Sequence, residues 1–344
     1  MKFGSDNEAP VRPEIMAAIE AANTDAVPSY GEDSITESLK PAYSQLFETE
    51  LNIEPIATGT AANAIALSQI IPRYGAIVCH ARAHILLHEC GAPEFFSGGK
   101  LIPVSGEDGK MKPELLQRAL HHATETRYHS NHIAAVSLTQ ATEYGTVYTG
   151  QEIRQIADIT HESGAMLHMD GARFANALVF SGCTPAEMTW KAGVDILTLG
   201  SSKNGTLNAE AIITFNPDLN LGLKHRLKQS GHLASKSRYL SAQLLAYVEK
   251  NRWLDWAQEA NQMARMMYDG LKSCPDIQVA LPVEANFLVV RISQARAEQL
   301  LSAGVRFYPW HERAGHYRLV LSNQNTAEDV DAFLAVLKTL SANQ

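Results

Sequence analysis

A chain of 344 residues is too long for one compact core and fits one large and one small domain. Its composition, 45% hydrophobic and 19% charged with no low-complexity tract, excludes the collagenous and disordered classes. A net charge of −8 and a pI near 5.9, with no basic stripe, argue against a nucleic-acid partner, and no apolar run reaches the roughly 18 to 20 residues of a bilayer span.

Pro10 and Pro13 precede a helical pattern at 14–19, so the chain opens as an arm and one helix. A loop around Tyr30, Gly31 and Asp33 leads to a second helix with Leu39 and Leu46 on one face. Thr58-Gly59-Thr60 then opens an alanine-rich helix over about 61–71. A helix start leaves amides unpaired and carries a positive dipole end, so Gly59 and Thr60 form a candidate phosphate site. Taken alone the same residues are a plain N-cap. The segment matches neither a Walker loop nor a dinucleotide fingerprint.

His80, His84 and His88 recur every four residues, and on a helix they would share a face suited to a metal. The apolar 76–78 before them points instead to a strand end and loop, and a third reading is an imidazole that stacks on an aromatic cofactor and shuttles protons. Strands are expected at 133–138, 165–169, 196–199 and 211–215, with a helix over 151–163. This alternation predicts a mostly parallel sheet covered by helices on both faces, with ligands at the carboxyl ends of its strands. His129, ahead of the strand at 133, would lie at the opposite end unless a neighbouring subunit supplies it.

The most informative segments are His168-Met169-Asp170-Gly171-Ala172-Arg173 and Ser201-Ser202-Lys203-Asn204-Gly205, each following an apolar run. An acid at one strand end and a lysine just past the next suit pyridoxal phosphate (PLP): the acid pairs with the pyridine nitrogen and the lysine holds the aldehyde as a Schiff base. Arg173, three residues beyond Asp170, is placed for a substrate carboxylate, and Arg318 on a small-domain strand could close over it. From 233 to 272 the pattern is helical with a break near Asn251; strands at 278–280, 287–292 and 317–321, a helix at 294–302 and a terminal helix follow. The division expected is a large domain, 1–250, including the arm, and a small α+β domain, 251–344. Four cysteines without a close pair and a start lacking an apolar leader suggest a cytoplasmic location.

Read together, these blocks resemble the low-specificity L-threonine aldolases, and the pseudomonad-type branch more than the enterobacterial one. The resemblance runs through Ser5-Asp6, Tyr30 to Asp33, Gly59 to Asn63, Ala83-His84, Glu89 to Phe96, Thr139 to Glu143, His168 to Arg173, Cys183 to Gly193, Lys203 to Gly205 and Pro282 to Asn286. It implies an α/β protein of the aspartate-aminotransferase-like fold (PLP fold type I) that cleaves β-hydroxy-α-amino acids to glycine and an aldehyde. Another fold-type-I enzyme, a β-eliminating lyase or an aminotransferase, is the alternative. It implies further that Lys203 bears PLP, Asp170 pairs with its ring nitrogen, Gly59 and Thr60 hold its phosphate, and His84 stacks on its ring. Ser5, Arg173 and Arg318 would hold the substrate carboxylate, with Arg173 also beside the cofactor. His129 would contact the substrate side chain, so either His84 or His129 could be the base. Tyr30 and Lys228 would serve a composite site in a homo-oligomer, dimer or tetramer, Lys228 as a phosphate ligand for the neighbour. No metal is implied. One position departs from the pattern: close relatives tend to carry an acid where this chain has His88, which bears on the preference at the β-carbon.

Overall fold

Short apolar, β-branched runs in the first two-thirds of the chain pair into one sheet. In the computed structural model, which describes residues 1–310 and 313–342 and only the backbone at 127, 341 and 342, its strands are β1 (Asn52–Ile56), β2 (Gly75–His80), β3 (Lys100–Val104), β4 (His132–Thr139), β5 (Met166–Gly171), β6 (Ile196–Leu199) and β7 (Glu210–Thr214). Their order is β1-β7-β6-β5-β4-β2-β3. Strands β2 to β6 are parallel, and β7 runs antiparallel to both β6 and β1.

Such a sheet must be covered on both faces. One face packs helices Leu39–Leu46, Pro113–Thr126, Gly150–Glu162, Phe174–Ser181 and Arg238–Val248 through residues such as Tyr43, Leu116, Ile153, Phe174 and Leu244. The other packs helices Gly59–Ile70 and Leu223–Gln229 through Ala62, Ile65, Leu223 and Leu227. Helix Gly59–Ile70 is buried on nearly every side, which is why its sequence is apolar all round.

A second, antiparallel sheet comprises β8 (Gln278–Val279), β9 (Phe287–Arg291), β10 (Tyr308–Pro309) and β11 (His316–Val320) in the order β10-β11-β9-β8. Lys250 and Asn251, at φ 56° and 61°, make the break that separates helix Arg238–Val248 from helix Arg252–Leu271. The latter serves both cores: Trp253, Trp256 and Ala257 join the first, while Ala264, Met267 and Leu271 join the second. The amino-terminal arm, placed by sequence with 1–250, is held by the second sheet. Phe3 lies in that core, its N–H donates to Arg306 O at 2.7 Å, and Val320 N donates to Phe3 O at 2.9 Å. No helix among the described residues is long and apolar enough to cross a membrane.

Candidate active site

Parallel strands deliver their last residues to one edge of the sheet. Asp170, next to last in β5, is in register with Thr139 of β4 and Thr198 of β6. Lys203 sits in the 3-10 turn Ser202–Asn204, just past β6. That turn is fixed from three sides. Glu210 of β7 accepts from Ser201 N at 2.8 Å and Ser202 N at 3.4 Å. Asn204 Nδ2 donates to Tyr247 OH at 2.9 Å and to Trp253 O at 2.8 Å. Gly205 ends the turn at φ 116°, where a Cβ would also come within 2.7 Å of Arg12 Cγ.

The start of helix Gly59–Ile70 faces the same space. Thr58 caps it by accepting from Ala61 N at 3.3 Å, which leaves the first-turn amides of Gly59 and Thr60 without a partner in the helix. Thr58, Gly59, Thr60, His84, Asp170 and Lys203 all line one cavity of about 380 Å³. A larger groove of about 890 Å³ lies elsewhere, lined mainly by alanine, leucine and valine and by none of these residues.

Around the cavity the polar groups form two buried assemblies. In the first, Asn63 Nδ2 donates to Asp170 Oδ2 at 3.0 Å and to Glu89 Oε1 at 2.9 Å, and Glu89 Oε1 lies 2.9 Å from His84 Nδ1. Asp170 Oδ1 accepts from Ala172 N at 3.0 Å. Glu143 Oε1 accepts from His84 N at 2.7 Å and from Thr139 Oγ1 at 3.0 Å, while its Oε2 is buried without a partner among the described residues. Burial, followed by the charge of Asp170, pushes the Glu143 carboxyl up to about 7.

In the second assembly, Arg173 donates through Nε and Nη2 to the two oxygens of Asp6, at 2.8 and 3.0 Å, and Asn286 Nδ2 donates to Asp6 at 3.1 Å. Burial alone would raise the Asp6 carboxyl, but Arg173 and Lys203 with these hydrogen bonds bring it below its usual value. Arg173 and Arg318 lie 5.2 and 5.8 Å from the centre of the same Phe287 ring. Burial and then Arg173 lower the pKa of Lys203, against the pull of Asp6, Asp170 and Glu210.

The remaining expected residues are placed differently. Ser5 accepts from Asn7 N at 3.2 Å beside Asp6, and Asn7 rather than Ser5 lines the cavity. His88 is exposed, its ring 5.7 Å from that of His84. His129 is exposed in the turn Arg127–His129 at the amino end of β4, away from the strand ends that carry Asp170. Tyr30 and Lys228 meet each other, Lys228 Nζ lying 4.4 Å over the Tyr30 ring, and neither lines the cavity. His80 ends β2 whereas His84 begins helix His84–Leu87, so the three histidines share no helical face. Among the described residues no cluster of three His, Cys, Asp or Glu is arranged for a metal.

PLP presents a phosphate, an aldehyde and a ring nitrogen, and the cavity has a partner for each. The unpaired amides at Gly59 and Thr60 suit the anion, and a Cβ built on Gly59 would meet nothing within 4 Å. Lys203, desolvated and without a hydrogen bond among the described residues, suits the aldehyde. Asp170, locked by two donors, suits the nitrogen. Asp6, Asn63, Glu89 and Glu143 were missed in sequence; a lone asparagine inside an alanine-rich buried helix is the one signal that could have pointed to Asn63.

Comparison with known proteins agrees with this geometry. A family model described as beta-eliminating lyase matches residues 2–295. A low specificity L-threonine aldolase of Pseudomonas aeruginosa is 41% identical over 91% of this chain and 90% of its own, and one from another Pseudomonas strain is 41% identical over 89% and 88%. The structure of a threonine aldolase from Leishmania major superposes with a TM-score of 0.91 at 29% identity, covering 98% of this chain and 99% of that one. An aspartate aminotransferase from Rhodobacter sphaeroides, 17% identical with a TM-score of 0.74 over 100% and 92%, shares the fold. The resemblance read from the sequence is thus borne out, and with it the mixed α/β architecture of PLP fold type I. The chain belongs to the beta-eliminating lyase family and is a PLP-dependent enzyme.

Proposed function

We propose that this enzyme cleaves L-threonine, L-allo-threonine and related β-hydroxy-α-amino acids such as phenylserine to glycine and an aldehyde, as an aldehyde-lyase of low specificity. The observation that carries this reading is the convergence of Asp170, Lys203 and His84 on one cavity, beside the paired arginines 173 and 318. The 41% identity to relatives of that name supports it.

PLP, when bound, supplies a ring that draws off the electron pair left on the α-carbon as the Cα–Cβ bond breaks. Lys203 holds its aldehyde carbon, and a lowered pKa makes more of the neutral, nucleophilic amine available. Asp170 keeps a proton on the ring nitrogen. Arg318 and the part of Arg173 not taken by Asp6, with Ser5 nearby, hold the substrate carboxylate. His84 Nε2 accepts the β-hydroxyl proton; His129 serves the substrate side chain from a neighbouring subunit. The working form is a cytoplasmic homo-oligomer, dimer or tetramer, with a large domain of residues 1–250 and a small one of 251–344.

Purified enzyme incubated with L-threonine, L-allo-threonine and L-phenylserine should release glycine and aldehyde in equal amounts. A keto acid with ammonia would identify a β-eliminating lyase instead, and turnover only with an added amino acceptor would identify an aminotransferase.

A further inference from the structure

Three hydrogen bonds in series join the acid at the cavity to its imidazole: Asp170 Oδ2 to Asn63 Nδ2, Asn63 Nδ2 to Glu89 Oε1, and Glu89 Oε1 to His84 Nδ1. We propose that Glu89 is a positioning residue that fixes the ring tautomer of His84, holding the proton on Nδ1 so that Nε2 meets the substrate as an acceptor. The inference rests on His84 being the base of the proposed reaction.

The direction of each bond follows from who can donate. Asn63 faces two carboxylates, and only its NH2 group, with two hydrogens, can satisfy both; turning the amide would set its oxygen against both acids. Glu89 Oε1 therefore already accepts from Asn63. A ring nitrogen 2.9 Å away avoids lone-pair repulsion by bringing a hydrogen, so the Nδ1–H form is the one the network accepts. The backbone of His84 is pinned independently by Glu143 at 2.7 Å. With residue and ring both anchored, Nε2 is the nitrogen left for the cavity that His84 lines.

A neutral imidazole left to itself prefers its proton on Nε2, where it could not act as an acceptor toward the substrate. The buried Glu89, whose Oε2 has no partner among the described residues, opposes that preference. Once His84 takes a proton, the same carboxylate faces an imidazolium, as the buried acid does in a Ser-His-Asp triad. Burial raises the pKa of Glu89, while bonds from His84 and Asn63 pull it back, so its ionised form depends on these partners. His84 and Asp170 act on Glu89 directly, while Glu143 meets His84 N, Lys203 lines the same cavity and the His88 ring lies 5.7 Å from that of His84. Asn63 makes the arrangement continuous with the acid expected at the ring nitrogen.

The test uses PLP-loaded enzyme labelled with 15N histidine, the His84 signals being assigned by their loss in His84→Asn. The parent should carry the neutral ring proton on Nδ1. Glu89→Leu should move it to Nε2 and lower kcat on L-threonine by about 10²-fold, with KM and PLP content nearly unchanged. Glu89→Gln keeps an acceptor but no charge; it should retain the Nδ1–H tautomer and lose about 10-fold in kcat. A parent proton on Nε2, or a Glu89→Leu enzyme with parental tautomer and kcat, overturns the proposal. Should Glu89→Leu fail to fold, Glu89→Gln decides: a ring proton moved to Nε2 there, with kcat still parental, overturns it. If the tautomer moves as expected but the parent releases no glycine from L-threonine, Glu89 still positions His84 and the substrate assignment fails.

Discussion

Asp170 accepts from Asn63 Nδ2 and Ala172 N, and an amide of the same shape in its place keeps the packing while losing the charge and one of these two bonds. Asp170→Asn should cut turnover by about 10²-fold or more with little change in melting temperature. Lys203→Ala should stay folded, bind no PLP that borohydride can trap, and have negligible turnover. Near-parental rates in the first, or trapped PLP in the second, would reassign these roles. At His88 the resemblance leads one to expect an acid, and its ring lies 5.7 Å from that of His84. His88→Asp should shift the ratio of rates on L-threonine and L-allo-threonine by a factor of several, about 1 kcal/mol of differential transition-state binding. An unchanged ratio in folded, PLP-loaded enzyme would place His88 outside the discrimination. Asp170, Lys203, Gly59 and Thr60 were legible because a strand end or a helix start announces each of them. Asp6 was not, since its meaning depends on Arg173, 167 residues away. Glu89 and Glu143 lie within the resembling blocks, but nothing in the sequence marks their carboxyl oxygens as buried.

Among the elements, the central strands announce themselves and the edges do not. Strands β4 to β7 fall within two residues of the runs read from sequence. The edge strand β1 carries Glu54 and Pro55, and the edge strand β3 carries Lys100 and Pro103, so neither shows an unbroken apolar run. His168 ties the centre of the sheet together: from β5 its Nδ1 meets Ser137 Oγ of β4 at 2.9 Å and its Nε2 meets Thr198 Oγ1 of β6 at 3.0 Å. Burial pushes its imidazole down to about 4. A depressed histidine pKa favours the fold above the unfolded value of roughly 6.5, and that contribution is lost as pH falls toward 4. The parent should therefore lose on the order of 2 kcal/mol more than His168→Gln between pH 7 and pH 4. Urea midpoints of both proteins at the two pH values check this, and parallel losses would contradict it.

At the scale of the molecule, the expected residues fall into two groups. Gly59, Thr60, His84, Asp170 and Lys203 share a cavity, whereas Tyr30 and Lys228 meet each other outside it and His129 sits exposed at the far end of the sheet. The composite site proposed above would draw Tyr30, Lys228 and His129 from a neighbouring copy. Mixing Lys203→Ala with Lys228→Ala subunits should restore part of the activity through hybrids that carry one intact site. A fully active monomer at assay concentration would exclude the arrangement.

Helix Arg252–Leu271, 20 residues and about 30 Å long, puts its first half in one core and its second half in the other. Unfolding the second sheet and its core alone would strip the apolar cover from Ala264, Met267 and Leu271 while Trp253 and Trp256 still hold the same helix in place. Partial melting is thereby disfavoured, and two regions that look separable on a diagram form a single cooperative unit. Heat should take both apart in one transition, with calorimetric and van't Hoff enthalpies in agreement for the dissociated chain.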